Sequence, residues 1–248
     1  MKSFSIYEAL LFGWASYKKL AGFFIVLMLL VGFIFIPVII LSFFSDNFSI
    51  DITITLVTYM LFGGLLKIAL KVTYDDKPKF DDLLITNVIL KFCISSLIFY
   101  IPIVLIFLIP NLVLNQFPET IENLNKTGFI PFDELPILVI VSVIISIFLS
   151  CYFVVTFSFV GFFNIDKQMW TFPAFIASKA LTKGVHLKIL IFYLILFLFN
   201  ILGVLLLGFG LFLTIPVSLV SFAHVYKELS LKSMYSDTGN ELTNSQQN

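Results

Sequence analysis

The chain has 248 residues, of which 60% are hydrophobic and 12% are charged, with a formal net charge of zero and a mean hydropathy of +1.07. A soluble protein carries about 25% charged residues, and one globular core cannot bury apolar runs as long as Leu20–Phe44. The composition therefore excludes a soluble globular protein and predicts an integral membrane protein surrounded by the lipid bilayer. The balanced charge gives no basis for a nucleic-acid partner, and none is expected.

The N-terminal segment predicts an interfacial helix at about residues 5–18, which leads into a first span at about residues 20–44. Ser5 and Glu8 match a capping box, in which the serine hydroxyl accepts a backbone N–H three residues on. Trp14 follows on an apolar face, and its amphipathic ring suits the headgroup boundary. We interpret this helix as an anchor that sets the depth of the span, with lipid-headgroup sensing as the functional alternative. The first apolar run is too long for a cleavable signal peptide, so we expect it to remain in the membrane.

Charge-free runs mark the spans, because a charged side chain at the bilayer centre costs about 2.5–3.5 kcal/mol. The predicted fold is an all-α membrane bundle with six spans, at about residues 20–44, 52–71, 92–116, 136–163, 189–207 and 211–226. The last two spans come from one apolar run that is too long for a hydrocarbon core about 30 Å thick. Gly208 and Gly210 predict the turn that divides this run. We interpret Lys67, near the end of the second span, as a snorkelling side chain.

The distribution of lysine predicts the orientation. The chain contains no arginine, and cytoplasmic loops of membrane proteins collect lysine. If the N-terminus is cytoplasmic, every lysine except Lys126 falls on the cytoplasmic side, and the loops on the opposite side are acidic. A five-span chain would instead move Lys227 and Lys232 outside. The sequence therefore favours six spans with both termini in the cytoplasm.

Three similar segments, one before each pair of spans, indicate an internal repeat. They are the interfacial helices predicted at about residues 5–18, 80–91 and 172–183, and each has an aromatic residue, two apolar residues and a lysine at equal spacing. The pattern predicts three units of interfacial helix plus transmembrane hairpin. The alternative is that any cytoplasmic flank collects such anchors. One transmembrane domain, residues 1–232, is expected, and residues 233–248 are too polar to fold alone and predict a disordered cytoplasmic tail.

We predict no catalytic, cofactor-binding or metal-binding residue, and we expect no enzyme activity. The predicted spans contain no Asp or Glu, which argues against a proton relay. His186 and His224 fall near the cytoplasmic ends of their spans, where they are expected to be interfacial because no carboxylate in the membrane completes a metal site. Cys93 and Cys151 lack the spacing of a zinc site and are expected to pack as small apolar side chains.

Polar residues within the spans leave two functions open. Ser142, Ser146 and Ser150 recur every four residues on one face of the fourth span. Such a stripe either lines a polar cavity or allows close helix packing. A cavity lined by Ser142, Ser146, Asn111 or Asn200 would indicate a permease or lipid-handling transporter. A tightly filled bundle with an exposed cytoplasmic groove would indicate a non-enzymatic protein that organises the membrane or serves as an accessory subunit of another membrane or cytoplasmic protein.

The cytoplasmic stretch from Asp75 to Asp82 is dense in both charges. Paired acids bind divalent cations, but lysines interleaved with them compete for the carboxylates. We therefore expect a solvated turn that ends in an Asp cap of the second interfacial helix.

Short motifs along the chain resemble a broad bacterial group of six-helix membrane proteins. They include Tyr7-Glu8-Ala9-Leu10, Lys77-Pro78-Lys79-Phe80, Asn164-Ile165-Asp166-Lys167 and Thr214-Ile215-Pro216. The group is similar to YciC-like proteins and to the membrane domain found beside some glycerophosphodiester phosphodiesterases. The resemblance implies a six-helix fold in a bacterial inner membrane. It implies no catalytic residues, because the phosphodiesterase chemistry of those proteins belongs to a separate soluble domain.

Overall fold

The computed structural model describes residues 3–44, 48–85, 87–128, 135–206 and 208–245. Within these ranges the chain forms helices and no strand. The α-helices are α1 (Ile6–Lys19), α2 (Ala21–Phe44), α3 (Phe48–Thr73), α4 (Ile89–Leu114), α5 (Pro118–Thr127), α6 (Ile137–Thr156), α7 (Val160–Asp166), α8 (Thr171–Thr182), α9 (His186–Leu205) and α10 (Leu211–Ser245). The predicted all-helical class is therefore confirmed.

Several helices are long and apolar enough to cross a membrane. Four candidate spans lie at Thr53–Thr73, Ile89–Leu114, Ile137–Asp166 and His186–Leu205. The pair formed by α1 and the start of α2, bent by 90°, counts as a fifth if it is one span. Large apolar side chains also cover the outside of these helices, as at Phe148, which is 73% exposed. Water does not tolerate so much exposed apolar surface, so the chain is a multi-pass membrane protein.

Helix α1 covers the first predicted interfacial segment and packs lengthwise against α10. The Ser5 hydroxyl caps α1 by accepting the Glu8 N–H at 3.3 Å. Gly13 allows the close approach to α10, because a Cβ at this position would lie 2.6 Å from the Val217 carbonyl oxygen. The tryptophan of this helix, Trp14, stays on the exposed side.

The second interfacial helix, predicted at about residues 80–91, is replaced by a different structure. A single 3₁₀ turn at Phe80–Leu83 is followed by extended backbone at Leu84, and α4 begins at Ile89. The turn is pressed against α3, where a Cβ on Gly64 would lie 2.5 Å from the Leu83 Cα. This tertiary contact overrides the local helical pattern, and the regular repeat is interrupted here.

The fourth predicted span, at about residues 136–163, matches the candidate span Ile137–Asp166, but its helix is interrupted. Helix α6 ends at Thr156 and α7 begins at Val160. The buried Ser178 side chain of α8 closes the break, since its hydroxyl donates to the Thr156 carbonyl at 3.0 Å and accepts the Phe159 N–H at 3.2 Å. The backbone groups that the break leaves without helical partners are thus satisfied by a neighbouring helix.

The predicted turn between the last two spans lies between α9 and α10. Gly208 has a φ of +80°, a conformation that glycine adopts without strain. The helices then meet closely, and a Cβ on Gly210 would lie 2.6 Å from the Gly203 Cα. Helix α10 continues to Ser245, through most of the segment expected to be a disordered tail. Proline is the residue that interrupts helices most strongly, and the chain contains none after Pro216.

An aromatic core lies where α7, α9 and α10 meet. Phe162 of α7 stacks on Tyr226 of α10 at 5.1 Å between centroids and meets Phe222 edge-on at 5.3 Å. Phe159, Phe162, Phe192 and Tyr226 are all fully buried. Each such ring pair adds about 0.5–1.5 kcal/mol to the energy of area burial. The contacts position α7, which carries residues of both pockets described below.

Candidate functional site

The serine stripe lies in a helix contact. Ser142, Ser146 and Ser150 are all buried. The Ser146 hydroxyl donates to the Ile106 carbonyl of α4 at 3.1 Å, and the Ser142 hydroxyl donates to the Val139 carbonyl of its own helix. The stripe therefore serves close packing of α6 on α4, and its residues do not line the cavities described below.

The asparagines named with the stripe do not line a cavity either. The Asn111 amide donates to the Phe107 carbonyl one turn earlier at 3.1 Å. The Asn200 amide donates to the Leu196 carbonyl at 2.7 Å and to the Ser218 hydroxyl at 2.9 Å. The second bond joins α9 to α10, so Asn200 is a packing residue.

The structure gives the two histidines separate aromatic partners. His224 stacks on Phe12 at 4.3 Å between ring centroids, and His186 stacks on Tyr152 at 5.6 Å. In the described part of the chain, no group of three or more His, Cys, Asp or Glu side chains could hold a metal ion. Cys93 is buried, whereas Cys151 is exposed on α6.

A cavity of about 340 Å³ lies among α3, α4, α6, α7, α9 and α10. Its wall is mainly aromatic, with Phe92, Phe99, Phe157, Phe162 and Phe222 among the residues that form it. No charged side chain stands among the described residues that line it. We call this space the aromatic cavity. Its volume is within the range of about 300–1,000 Å³ that small-molecule sites occupy.

Three serine hydroxyls of the aromatic cavity are already engaged as donors, whereas the buried Oδ1 of Asn164, which also lines it, has no hydrogen-bond partner. The Ser96 hydroxyl donates to the Phe92 carbonyl at 2.8 Å, and the Ser158 hydroxyl donates to the Val155 carbonyl at 2.9 Å. The Ser95 hydroxyl donates to Thr171 of α8 at 3.0 Å. Each serine oxygen keeps acceptor capacity, so the cavity is weakly polar within an apolar wall.

The aromatic cavity is open on one side. Phe62 of α3 and Tyr100 of α4 line it and are 49% and 50% exposed, whereas Phe92 and Gly161 line its inner part. Phe62 and Tyr100 both lie within candidate spans. The opening therefore faces the outer surface of the helices, where a membrane protein meets lipid.

One end of the bundle carries an ion cluster centred on Asp82. The buried Asp82 carboxylate accepts from the Lys71 ammonium at 2.7 and 2.8 Å, from the Lys67 ammonium at 3.2 Å and from the Lys79 N–H at 2.9 Å. Burial by itself would raise the pKa of Asp82, but the hydrogen bonds from Lys71, the Lys79 backbone and Lys67 outweigh it and lower the pKa. Lys67, interpreted from sequence as snorkelling, is thus an ion-pair partner.

A second acidic centre, Asp166, joins three helices at the same end. Its carboxylate accepts from the Tyr226 hydroxyl at 2.9 Å and from the Tyr74 hydroxyl at 3.5 Å. Burial and the nearby Asp166 carboxylate raise the pKa of Tyr74 to about 12. The Lys227 ammonium lies 4.9 Å from the Tyr74 ring centre and donates to the Thr73 carbonyl at 2.8 Å. Helices α3, α7 and α10 are tied together by this network.

A smaller pocket of about 150 Å³ lies beside the ion cluster. Lys67, Asn87, Ile165 and Gln168 are among the residues that line it. We call this space the lysine notch. Lys91, one turn into α4, donates to the Gln168 carbonyl at 2.8 Å and so stands close to the notch.

The sequence predicted a solvated turn at Asp82, placed Asp166 only within a motif, and predicted neither pocket. The expectation for Asp82 is wrong, because its side chain is buried at the third position of the 3₁₀ turn and Lys79 is the capping residue. The two lysines that pair with Asp82 could have indicated it. Lys67 and Lys71 are four residues apart and so lie on one face of a helix. If that face is covered, their charges require an acidic partner. No protein-family model, curated protein or solved structure matches this chain, so its function is inferred from the sites described above.

Proposed function

We propose that this protein is a non-enzymatic, multi-pass membrane protein that binds a lipid-like amphiphile in the aromatic cavity. The observation that carries the proposal is a cavity of about 340 Å³ with an uncharged, aromatic wall and an opening between Phe62 and Tyr100. Sites of this size that are mostly apolar, with a few polar groups, are typical of small-molecule binding. An acyl chain gains dispersion contacts against the rings and leaves no charged group buried.

The proposal includes the topology and location expected from the sequence. Six spans with both termini in the cytoplasm place Lys67, Lys91 and Lys227 on the inner side and Lys126 outside. The motif resemblance to six-helix bacterial proteins supports an inner-membrane location. Helix α10 supplies the sixth span through its apolar first half.

A purely organisational or accessory-subunit role, the first expectation from the sequence, now ranks second. That role was tied to a filled bundle, and the aromatic cavity leaves the bundle incompletely filled. Binding a lipid-like ligand is compatible with a later role in lipid transfer, which was the alternative expectation. We place the lipid-handling class first on the strength of the aromatic cavity, which is not the cavity lined by Ser142, Ser146, Asn111 or Asn200 that was considered from the sequence.

Binding can be tested with the purified chain in phosphatidylcholine nanodiscs and tritiated 1-monomyristoylglycerol as the probe. We expect saturable binding that Ser96→Phe reduces at least tenfold, because the larger side chain occupies the aromatic cavity. Leu105→Phe is the matched control, since Leu105 belongs to the same helix and is exposed. Absence of saturable binding, or equal loss in both variants, would overturn the proposal.

A further inference from the structure

The lysine notch lies directly beyond one end of the aromatic cavity along three separate elements. On α3, Leu66 lines the aromatic cavity and Lys67 lines the notch. On α7, Asn164 lines the cavity and Ile165 lines the notch. At the start of α4, Val88 lines the notch and residues from Phe92 onward line the cavity. On each of the three elements, residues that line the notch are close in sequence to residues that line the aromatic cavity, so the two pockets are neighbours.

Side chains of the two pockets come together at Gly63 of α3. A Cβ on Gly63 would meet both Ile85, which lines the notch, and Phe92, which lines the aromatic cavity. Gly161 of α7 packs closely on the same region, since a Cβ there would lie 3.1 Å from Leu66 Cδ1 and 3.2 Å from Phe92 Cε2. A ligand that occupies both pockets requires these side chains to change rotamer, which needs no backbone movement.

The end of the bundle at the notch carries a surplus of positive charge. Lys67 and Lys71 share the single negative charge of Asp82, and Lys71 contacts both carboxylate oxygens. Lys67 holds only the longer bond and lines the notch. The nearby Asp166 carboxylate is engaged by Tyr226, Tyr74 and Lys167. The residues that line the notch include no carboxylate.

From these observations we propose that the lysine notch binds the phosphate group of an anionic amphiphile whose acyl chain occupies the aromatic cavity. This inference rests on the proposed function and names the class of its ligand. A phosphate in the notch meets the Lys67 ammonium directly and lies near Lys91. The Asn87 side chain also lines the notch beside it. Basic pockets between membrane helices on the cytoplasmic side bind lipid phosphates by the same physics.

The test compares two tritiated probes with one acyl chain, 1-myristoyl lysophosphatidic acid and 1-monomyristoylglycerol, in phosphatidylcholine nanodiscs. The phosphate probe is expected to bind at least about fivefold tighter than the glycerol probe, which is the effect of one lysine near a phosphate. Lys67→Gln should abolish this preference by weakening binding of the phosphate probe to the level of the glycerol probe. Lys67→Arg, which keeps the charge, should retain it.

Controls separate the possible failures. Lys126→Gln removes a lysine that pairs with Glu122 on α5, away from the notch, and should behave as the unaltered chain. If both probes bind equally, or Lys67→Gln keeps the preference, the notch does not read phosphate and the inference fails while the proposed function stands. If neither probe binds, the proposed function fails as well. Competition by inorganic phosphate at concentrations as low as those of the lipid would assign the notch to free phosphate and overturn the lipid proposal.

Discussion

Asp82 joins the end of α3 to the turn that precedes α4. Its carboxylate accepts hydrogen bonds from two lysine side chains and one backbone N–H, and only 6% of the residue is exposed. Removing one partner of a buried ion pair destabilises a protein by more than the intact pair stabilises it, because the remaining charge is left buried without a counter-charge. A single carboxylate therefore fixes the position of Lys67 beside the lysine notch.

Replacement of Asp82 by Asn is expected to lower the unfolding midpoint at pH 7. The loss corresponds to about 1–2 kcal/mol, discounted because both ammonium groups are about one-third exposed. The folded pKa lies below the ordinary value of 3.8, so the contribution of Asp82 is complete above pH 3.8 and is lost as the pH falls through the folded value.

Thermal unfolding in detergent, followed by tryptophan fluorescence between pH 3 and pH 8, checks both parts. The difference in midpoint between the unaltered chain and Asp82→Asn should be constant above pH 4 and should shrink below about pH 3.8. A difference that shrinks on raising the pH instead would contradict the assigned ion cluster. Asp75→Asn is the control, because Asp75 pairs with Lys19 on an exposed surface.

At the scale of elements, the break between α6 and α7 depends on α8. Ser178 and Thr182 of α8 both donate to the Thr156 carbonyl, at 3.0 and 3.2 Å, and both are fully buried. Phe157 and Ser158 within the break, and Gly161 and Asn164 just beyond it, line the aromatic cavity. The shape of the cavity is therefore set by hydrogen bonds that lie outside it.

Ser178→Ala is expected to destabilise the chain by about 1–3 kcal/mol, because a buried carbonyl and a buried N–H lose a partner at once. The unfolding midpoint in detergent measures this loss. Ser96→Ala provides the comparison, since the Ser96 hydroxyl donates only within its own helix turn, and it should change the midpoint little. Equal midpoints for the two variants would show that the break does not depend on Ser178.

At the scale of the whole molecule, long apolar runs made the helical membrane class predictable from the sequence. The segment predicted at 189–207 corresponds to α9, and the turn at Gly208 was visible as a glycine pair. Such runs and turns are local signals. A hydropathy profile gives the length of each apolar segment, and glycine residues indicate where the backbone can turn.

The features on which the proposed function rests were not local and could not be predicted in this way. Phe157, Ser158 and Phe159 interrupt a span with no proline or glycine among them, since the stabilising partner, Ser178, lies in another helix. The 3₁₀ turn ending at Leu83 likewise depends on a contact with Gly64 of α3. The aromatic cavity draws its wall from six helices, whereas the serine stripe, visible on one helix, proved to be a packing surface.

The proposed topology predicts the labelling of single cysteines on a background with Cys93 and Cys151 replaced by Ser. In intact cells, a membrane-impermeant maleimide should label Lys126→Cys and should reach Asp75→Cys only after permeabilisation. Both native side chains are well exposed, so access differs only by the side of the membrane. External labelling at Asp75→Cys would contradict the assigned orientation.

The opening between Phe62 and Tyr100 also sets how a bound molecule would exchange. Because the opening meets the outer surface of membrane-crossing helices, an amphiphile can enter by diffusing sideways within one leaflet, and its acyl chain need not cross water. Occupancy would then follow the mole fraction of that amphiphile in the bilayer. Its aqueous concentration, which is vanishingly small for long-chain lipids, would be irrelevant. A minor lipid present at a fixed mole fraction of the membrane would therefore occupy the cavity to the same extent at any dilution of the membranes.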